Sequence, residues 1–150
     1  MKKLILSAVL AAMPLAAVAD DAKEEALEAR HGFYTMLSIN MGVLSGMARG
    51  EIAYDEEAAS TAGSNIEALS RYAAPTLFIE GTAASEMDDS GALPVVWSDR
   101  ADFTAKHAAL GEAAVGAGEA VRGGQGNVGP VVQKLGAACK ACHDKFRKPE

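Results

Sequence analysis

Two cysteines and a histidine lie together near the carboxyl end of the chain, in the segment Cys139-Lys140-Ala141-Cys142-His143. On a helix, residues three apart share nearly the same face, so both thiols can reach one flat ligand. The histidine follows at once and can turn its imidazole toward a metal at the centre of that ligand. Two thiols for thioether bonds and one imidazole for iron are what the attachment of a haem requires. The spacing therefore predicts one covalently bound haem c, with iron, attached through Cys139 and Cys142 and ligated by His143.

Three other uses of paired cysteines fit the sequence less well. A thioredoxin-like pair needs a helix N-terminus to lower the pKa of its first thiol, whereas these cysteines lie toward the carboxyl end of a predicted helix. A structural zinc ion needs four ligands, and only three candidate residues cluster here. A disulfide between residues three apart would constrain almost none of the chain.

The elements that position this motif are predicted to be four amphipathic helices. Apolar residues recur at alternating steps of three and four, and glycine or proline separates the segments. Their expected bounds are residues 21–49, a second helix with Asp55 as N-cap that ends before Pro75, a third over 94–121, and a fourth over 128–147. A long connection is expected over 76–93. Short loops join the first two helices and the last two, so the fold class is all-α, an antiparallel up-down-up-down four-helix bundle.

In that topology the start of the first helix and the end of the fourth meet at one end of the bundle, which places Arg30 and Tyr34 beside the cysteine motif. Arg30 interrupts an apolar stripe. A charge on a core face needs a partner, and a haem propionate is a suitable anion; the alternative is an arginine that extends to solvent. Tyr34, one turn further, is expected near the iron's second axial position, as a steric plug or a hydrogen-bond donor. A core aromatic residue would look the same in the sequence.

The sequence offers three candidates for a sixth iron ligand and does not decide among them. Met36 should face away from Tyr34, because two positions on a helix differ by about 200°. Met41 shares the stripe but lies two turns further along. His107 lies on the apolar stripe of the third helix, where a histidine is more often simply packed. The balance favours an iron without a strong sixth ligand.

The amino terminus has the pattern of a secretory signal. Lys2 and Lys3 precede an apolar stretch over residues 4–18, and Ala17-Val18-Ala19 is a small-residue cleavage pattern. The stretch is too short to span a bilayer comfortably, and no later segment is apolar enough to do so. We therefore expect cleavage after residue 19, a single domain over 20–150, and a periplasmic location.

Charge excludes one class of partner. Without Lys2 and Lys3 the chain has 12 basic and 20 acidic residues, with no basic stripe. An acidic protein of this kind is a poor nucleic-acid binder.

Several segments together resemble the cytochrome c′ family. They are Arg30 near the start of the first helix, the run from Cys139 to Arg147, the stretch Ala74-Pro75-Thr76-Leu77-Phe78 before Gly81-Thr82, and Trp97. The resemblance implies a five-coordinate, high-spin haem with His143 as its only protein ligand, Arg30 in the pocket and Tyr34 shielding the distal face. It also places Arg147 near the outward edge of the His143 ring and a polar haem contact near Ser90. Family members with a methionine ligand on the first helix would carry it where this chain has Phe33 and Tyr34.

The leading function is electron transfer, and the alternative is binding of nitric oxide or carbon monoxide at a distal face crowded by Tyr34. An enzyme is not expected, because His107 is the only candidate for a distal acid or base. The sequence does not identify redox partner proteins. Gly42 and Gly46, one turn apart, would suit close contact with a second copy in a homodimer, or packing within one chain.

Overall fold

The computed structural model describes the backbone of residues 15–149 and the side chains of residues 20–149. Within that part of the chain it contains six α-helices: α1 (Leu15–Arg49), α2 (Glu56–Ser70), α3 (Val95–Ser98), α4 (Arg100–Ala114), α5 (Ala117–Ala120) and α6 (Val128–Phe146). Two 3₁₀ turns, Ala74–Leu77 and Gln125–Asn127, precede α3 and α6 respectively. The predicted cleavage segment, residues 1–19, lies largely outside the described residues.

The long helices form a bundle in which α1 packs against α2 and α6, and α4 packs against the same two helices. The fold class is therefore all-α, as the sequence predicts. The core contains the apolar stripe residues of each helix, including the fully buried Leu44 of α1, Ile66 of α2 and Leu135 of α6. None of the helices within residues 15–149 is long and apolar enough to cross a membrane.

Three of the four predicted helices agree closely with the structure. The described part of α1 begins earlier than expected, at Leu15, and α6 ends one residue earlier, at Phe146. The Asp55 side chain accepts a hydrogen bond from the Ala58 backbone N–H at 2.8 Å, so Asp55 is the N-cap of α2. An N-cap of this kind satisfies one of the otherwise unpaired donors of the first turn.

The prediction of one continuous third helix is wrong, because the structure divides it into α3, α4 and α5. Asp99 has a non-helical backbone, with φ −126° and ψ 54°, and its carboxylate accepts from the Asp102 N–H to begin α4. Gly116 has φ +71°, a left-handed conformation that ends α4 and that glycine adopts without strain. The apolar stripe nevertheless continues across both breaks, since Val96, Phe103, Leu110, Ala114, Ala117 and Val121 are all buried.

Tight packing explains why the chain turns at Gly116. A Cβ built on Gly63 of α2 would lie 2.7 Å from the backbone of Ala117 and Gly118, and one on Gly118 would lie 2.8 Å from the Ser60 carbonyl oxygen. The backbones of α2 and α5 therefore touch directly.

The two glycines considered for a dimer contact, Gly42 and Gly46, differ in the space around them. A Cβ on Gly46 would lie 2.5 Å from the Ile52 side chain, so Gly46 serves packing within the chain. Apart from its own helical backbone, no atom of residues 20–149 lies within 4 Å of a Cβ built on Gly42, which lies on the surface. The homodimer stays a prediction.

Candidate haem site

The two cysteines lie on the inner side of α6, each partly buried. Cys139 packs against the main core, and Cys142 packs against a second cluster that includes Phe103 and Phe146. The two cysteines form no disulfide with each other. Burial raises the pKa of Cys139, and burial together with the charge of Cys139 raises the pKa of Cys142 to about 11. A redox-active thiol has a lowered pKa, so the thioredoxin-like alternative does not fit this site.

His143 follows in the last turn of α6, and its side chain is exposed. Its carbonyl oxygen accepts a hydrogen bond from the Arg147 N–H at 3.2 Å, which closes the final turn. Arg147 has left the helix and forms an antiparallel bridge with Ala92. The end of α6 is thereby tied to the long connection before α3.

Arg30 is the most informative residue of the site, because its charged side chain is only 3% exposed. One guanidinium N–H donates to Thr82 Oγ1 at 3.0 Å, and the other terminal nitrogen donates to the Thr82 carbonyl at 3.3 Å and to Ser90 Oγ at 3.2 Å. The guanidinium carbon also lies 4.6 Å from the centre of the Phe78 ring. Burial lowers the pKa of Arg30, against an opposing effect of Tyr34. The alternative of an arginine extending into solvent is therefore wrong.

Ser90 is fully buried and holds Arg30 in place. Its hydroxyl donates to the Thr82 carbonyl at 2.8 Å and accepts from Arg30 and from the Ala92 N–H. All of these bonds are to protein atoms, so the structure gives Ser90 a positioning role toward Arg30. Direct contact between Ser90 and a haem stays a prediction.

Tyr34 is buried close enough to Cys139 and Cys142 for their charges to affect its phenol, and its role beside a haem stays a prediction. Burial, followed by the charge of Cys142, raises the pKa of its phenol above the ordinary value of 10.0, whereas Arg30 acts in the opposite direction. Its ring makes edge-on contacts with Phe33 at 5.0 Å and Phe78 at 6.3 Å between ring centres. Among residues 20–149 its hydroxyl has no hydrogen-bond partner. The hydroxyl is therefore free to donate to a ligand in the site.

The structure places the three candidate sixth ligands elsewhere. Met36 is 48% exposed on the outer side of α1. Met41 packs against the main core, further along the bundle. The His107 ring places Nε2 2.8 Å from the Tyr72 carbonyl oxygen, a hydrogen bond in which Nε2–H donates. Tyr34, rather than any of these three, is the side chain that faces the cysteines.

Sequence reasoning did not predict the contacts that form the wall around Arg30. Phe78 presents its ring to Arg30, and its carbonyl accepts from Trp97 Nε1 at 3.1 Å and from Arg100 at 3.3 Å. Arg100 also donates to the Pro75 carbonyl and stacks over Phe103 at 5.5 Å. The sequence singled out Phe78 and Trp97 only as part of a family resemblance. Gly81, with φ +82°, turns the chain just before the buried Thr82.

These residues fit a haem. Two thiols line the inner face of one helix, and an imidazole follows them immediately. A buried guanidinium close by meets neutral oxygens and an aromatic ring, but no carboxylate among residues 20–149. A guanidinium has five N–H donors, and a buried cation without an anion is costly. The propionate groups of a haem are anions of the required kind.

Comparison with known proteins agrees with this chemistry. Residues 25–147 match a family model described as Cytochrome C′. A cytochrome c′ of Cereibacter sphaeroides is 37% identical over 147 residues, covering 98% of both chains. The chain belongs to the cytochrome c′ family. It therefore carries a covalently bound haem c with iron. A cytochrome c-554 of the same organism is 39% identical over 149 residues, covering 98% of this chain and 96% of the relative.

Solved cytochrome c′ structures have the same fold. One from Rhodobacter Spheriodes has a TM-score of 0.80 and 34% identity, covering 85% of this chain and 98% of that one. A nitric oxide complex of a cytochrome c′ variant from Alcaligenes xylosoxidans has a TM-score of 0.70 and 28% identity, covering 85% and 97%. A bound gas is thus compatible with this bundle in a relative.

Proposed function

We propose that this cytochrome c′ is a periplasmic electron-transfer protein with a single five-coordinate haem. Cys139 and Cys142 form the two thioether bonds, and His143 is the only protein ligand of the iron. When bound, the haem would supply a one-electron couple at its iron. The observation that carries this assignment is the placement of Tyr34 against the cysteines, while Met36, Met41 and His107 are engaged elsewhere.

The surrounding residues suit a group whose charge changes by one electron. Arg30 is fixed by Thr82 and Ser90, and these two are themselves held by the loop that binds the end of α6. A positive charge held rigidly near the iron stabilises the reduced state without any bond having to break. We assign Arg30 to a haem propionate because its buried charge meets only neutral oxygens and an aromatic ring among residues 20–149.

Binding of nitric oxide or carbon monoxide is a second candidate, supported by the same distal residue. Tyr34 is a phenol with a raised pKa and a hydroxyl that has no bond to residues 20–149. After thioether formation the charge of the thiols disappears, but burial remains, so the phenol stays protonated. It crowds the sixth position and can donate one hydrogen bond to a small bound gas. Bulkier ligands would be excluded.

Visible spectra of the haem-loaded protein test the coordination. We expect high-spin spectra in both oxidation states, a reversible one-electron couple, and a clear spectral change when carbon monoxide or nitric oxide is added to the ferrous form. A sharp low-spin spectrum that ignores both gases would contradict a five-coordinate iron. In that case Met36→Leu, Met41→Leu and His107→Ala would show which side chain coordinates it.

Export is proposed from the amino-terminal pattern, whose first fourteen residues the structure does not describe. Haem attachment to cysteine pairs and the small-residue pattern at Ala17-Val18-Ala19 both suit an exported protein. The mass and amino-terminal sequence of protein purified from the periplasmic fraction should correspond to a chain that begins at Asp20. Recovery of an uncleaved chain in the cytoplasm would contradict this assignment.

A further inference from the structure

An apolar groove of about 650 Å³ runs along the outer surface between α1 and α2. Its rim includes the half-exposed Met36 and Tyr72, and buried or partly buried Phe33, Leu69 and Leu77 lie at its base. Among residues 20–149, no charged side chain lines it. The groove lies at the end of the bundle where α2 stops, which is also the end that carries the cysteines.

Phe33 separates this groove from the haem side of the bundle. Its side chain is only 4% exposed, yet it lines the groove. Its ring lies 5.7 Å from the Tyr72 ring at the rim and 5.0 Å from the Tyr34 ring on the inner side. A single aromatic ring therefore joins the solvent-facing surface to the residue that faces the iron.

The other walls of the site are less suited to the entry of an apolar gas. Toward the long connection, the wall is the polar network of Arg30, Thr82 and Ser90. Toward α4 and α6, Phe103 packs edge-on against Phe78 at 4.7 Å and against Phe146 at 5.2 Å between ring centres. A neutral diatomic gas has no hydrogen bonds to gain from the first wall and meets stacked rings at the second.

On the basis of the gas-binding candidate function, we propose that small neutral gases enter the distal face through the groove between α1 and α2, with the Phe33 ring as the gate. The groove concentrates an apolar gas next to the site, and rotation of Phe33 opens the path toward Tyr34. A gate of this kind changes the barrier between free and bound gas but not the stability of either end state. Association and dissociation rates should therefore change by the same factor.

The test is carbon monoxide binding to the haem-loaded ferrous protein, followed by flash photolysis and by ligand replacement. Ala68→Phe fills the groove from the solvent side without altering the core, because Ala68 is exposed and lines the groove. We expect it to slow both association and dissociation by roughly threefold to tenfold. Phe33→Leu removes part of the gate and should speed both rates by a similar factor. Ala58→Phe, the same change at an exposed position near the other end of α2, should leave both rates unaltered.

The outcomes separate the entry route from the binding function. If wild-type protein binds no carbon monoxide, the gas-binding function fails and the route fails with it. If carbon monoxide binds and Ala68→Phe leaves both rates unchanged, the function stands and the route is wrong, whatever Phe33→Leu does. If Phe33→Leu changes only the dissociation rate, Phe33 acts on the bound gas and is not a gate.

Discussion

At the scale of single residues, the site depends on one buried cation. The hydrogen bonds of Arg30 go to neutral oxygens and its ring contact is with Phe78, so within residues 20–149 its charge is solvated but not neutralised. Burial accordingly lowers the pKa of its guanidinium. An arginine remains charged in spite of such a shift, because its ordinary pKa lies far above neutral pH. The site is thus electrostatically prepared for an anionic group.

Replacing this cation should change the redox behaviour of the haem. Loss of a positive charge beside the iron destabilises the reduced state, so Arg30→Leu should lower the reduction potential. A unit charge near a redox centre is worth roughly 1–2 kcal/mol, on the order of 50 mV for one electron. Voltammetry of the haem-loaded protein measures it, with Arg49→Leu as the control, an exposed arginine of the same helix that pairs with Glu51. Equal potentials in wild type and Arg30→Leu would rule out the propionate assignment.

The raised pKa of Tyr34 predicts that the free energy of unfolding falls at alkaline pH. Its pKa is raised in the folded protein, chiefly by burial, so above pH ~10 the unfolded chain loses this proton while the folded chain retains it. The unfolded state then binds fewer protons, and the free energy of unfolding falls as the pH rises, with a limiting slope of about 1.4 kcal/mol per pH unit. Denaturant unfolding between pH 9 and 11 should show a steeper fall for wild type than for Tyr34→Phe. Parallel curves would show that Tyr34 titrates as it does in the unfolded chain.

At the scale of elements, backbone contact between α2 and α5 fixes how the third segment of the bundle is broken. Gly63 and Gly118 leave no room for a Cβ at this contact, and Gly116 supplies the left-handed turn before it. The helix is therefore interrupted at the end of α4, and α5 packs closely on α2. The same residues stay on the apolar side throughout, so the core is continuous although the helix is not.

A methyl group added at this contact should be costly. Gly63→Ala would place a Cβ 2.7 Å from the backbone of α5, and overpacking of this kind costs typically about 1–3 kcal/mol. Gly32→Ala is the matched control in α1, because nothing lies within 4 Å of its built Cβ. That change should instead stabilise the protein by about 0.5–1 kcal/mol, because glycine is a poor helix former. Unfolding free energies of the two variants should therefore move in opposite directions; a neutral Gly63→Ala would contradict the close contact.

At the scale of the whole molecule, the fold and its cofactor are energetically linked through residues distant in sequence. Arg30 on α1, the Thr82–Ser90 loop and the end of α6 meet at one end of the bundle. Removing one partner of a buried ion pair is strongly destabilising, whereas replacing the whole pair by apolar groups is often neutral. The contribution of Arg30 to stability should therefore depend on whether a haem is present.

This dependence is measurable as a double-mutant cycle. In haem-loaded protein, Arg30→Leu should lower the free energy of unfolding by about 3–5 kcal/mol, because it leaves a propionate without its cation. In the Cys139→Ala/Cys142→Ala protein, prepared without haem, the same change should be neutral or stabilising, because it removes an unneutralised buried charge. Denaturant unfolding of the four proteins gives the interaction energy. The same cost in both backgrounds would mean that Arg30 serves the polypeptide alone.

The sequence by itself determined the apolar stripes of the helices and predicted the haem chemistry at Cys139, Cys142 and His143, because both depend on spacing within one helix. It also placed Arg30 and Tyr34 near the cysteines, since topology alone brings those helix ends together. Only the tertiary structure decided the partners of Arg30 and the place where the third helical segment breaks. The bonds from Arg30 to Thr82 and Ser90 span 52 and 60 residues, and the break at Gly116 depends on a contact with another helix. Contacts at such separations depend on how complete elements pack, and local periodicity contains no information about that packing.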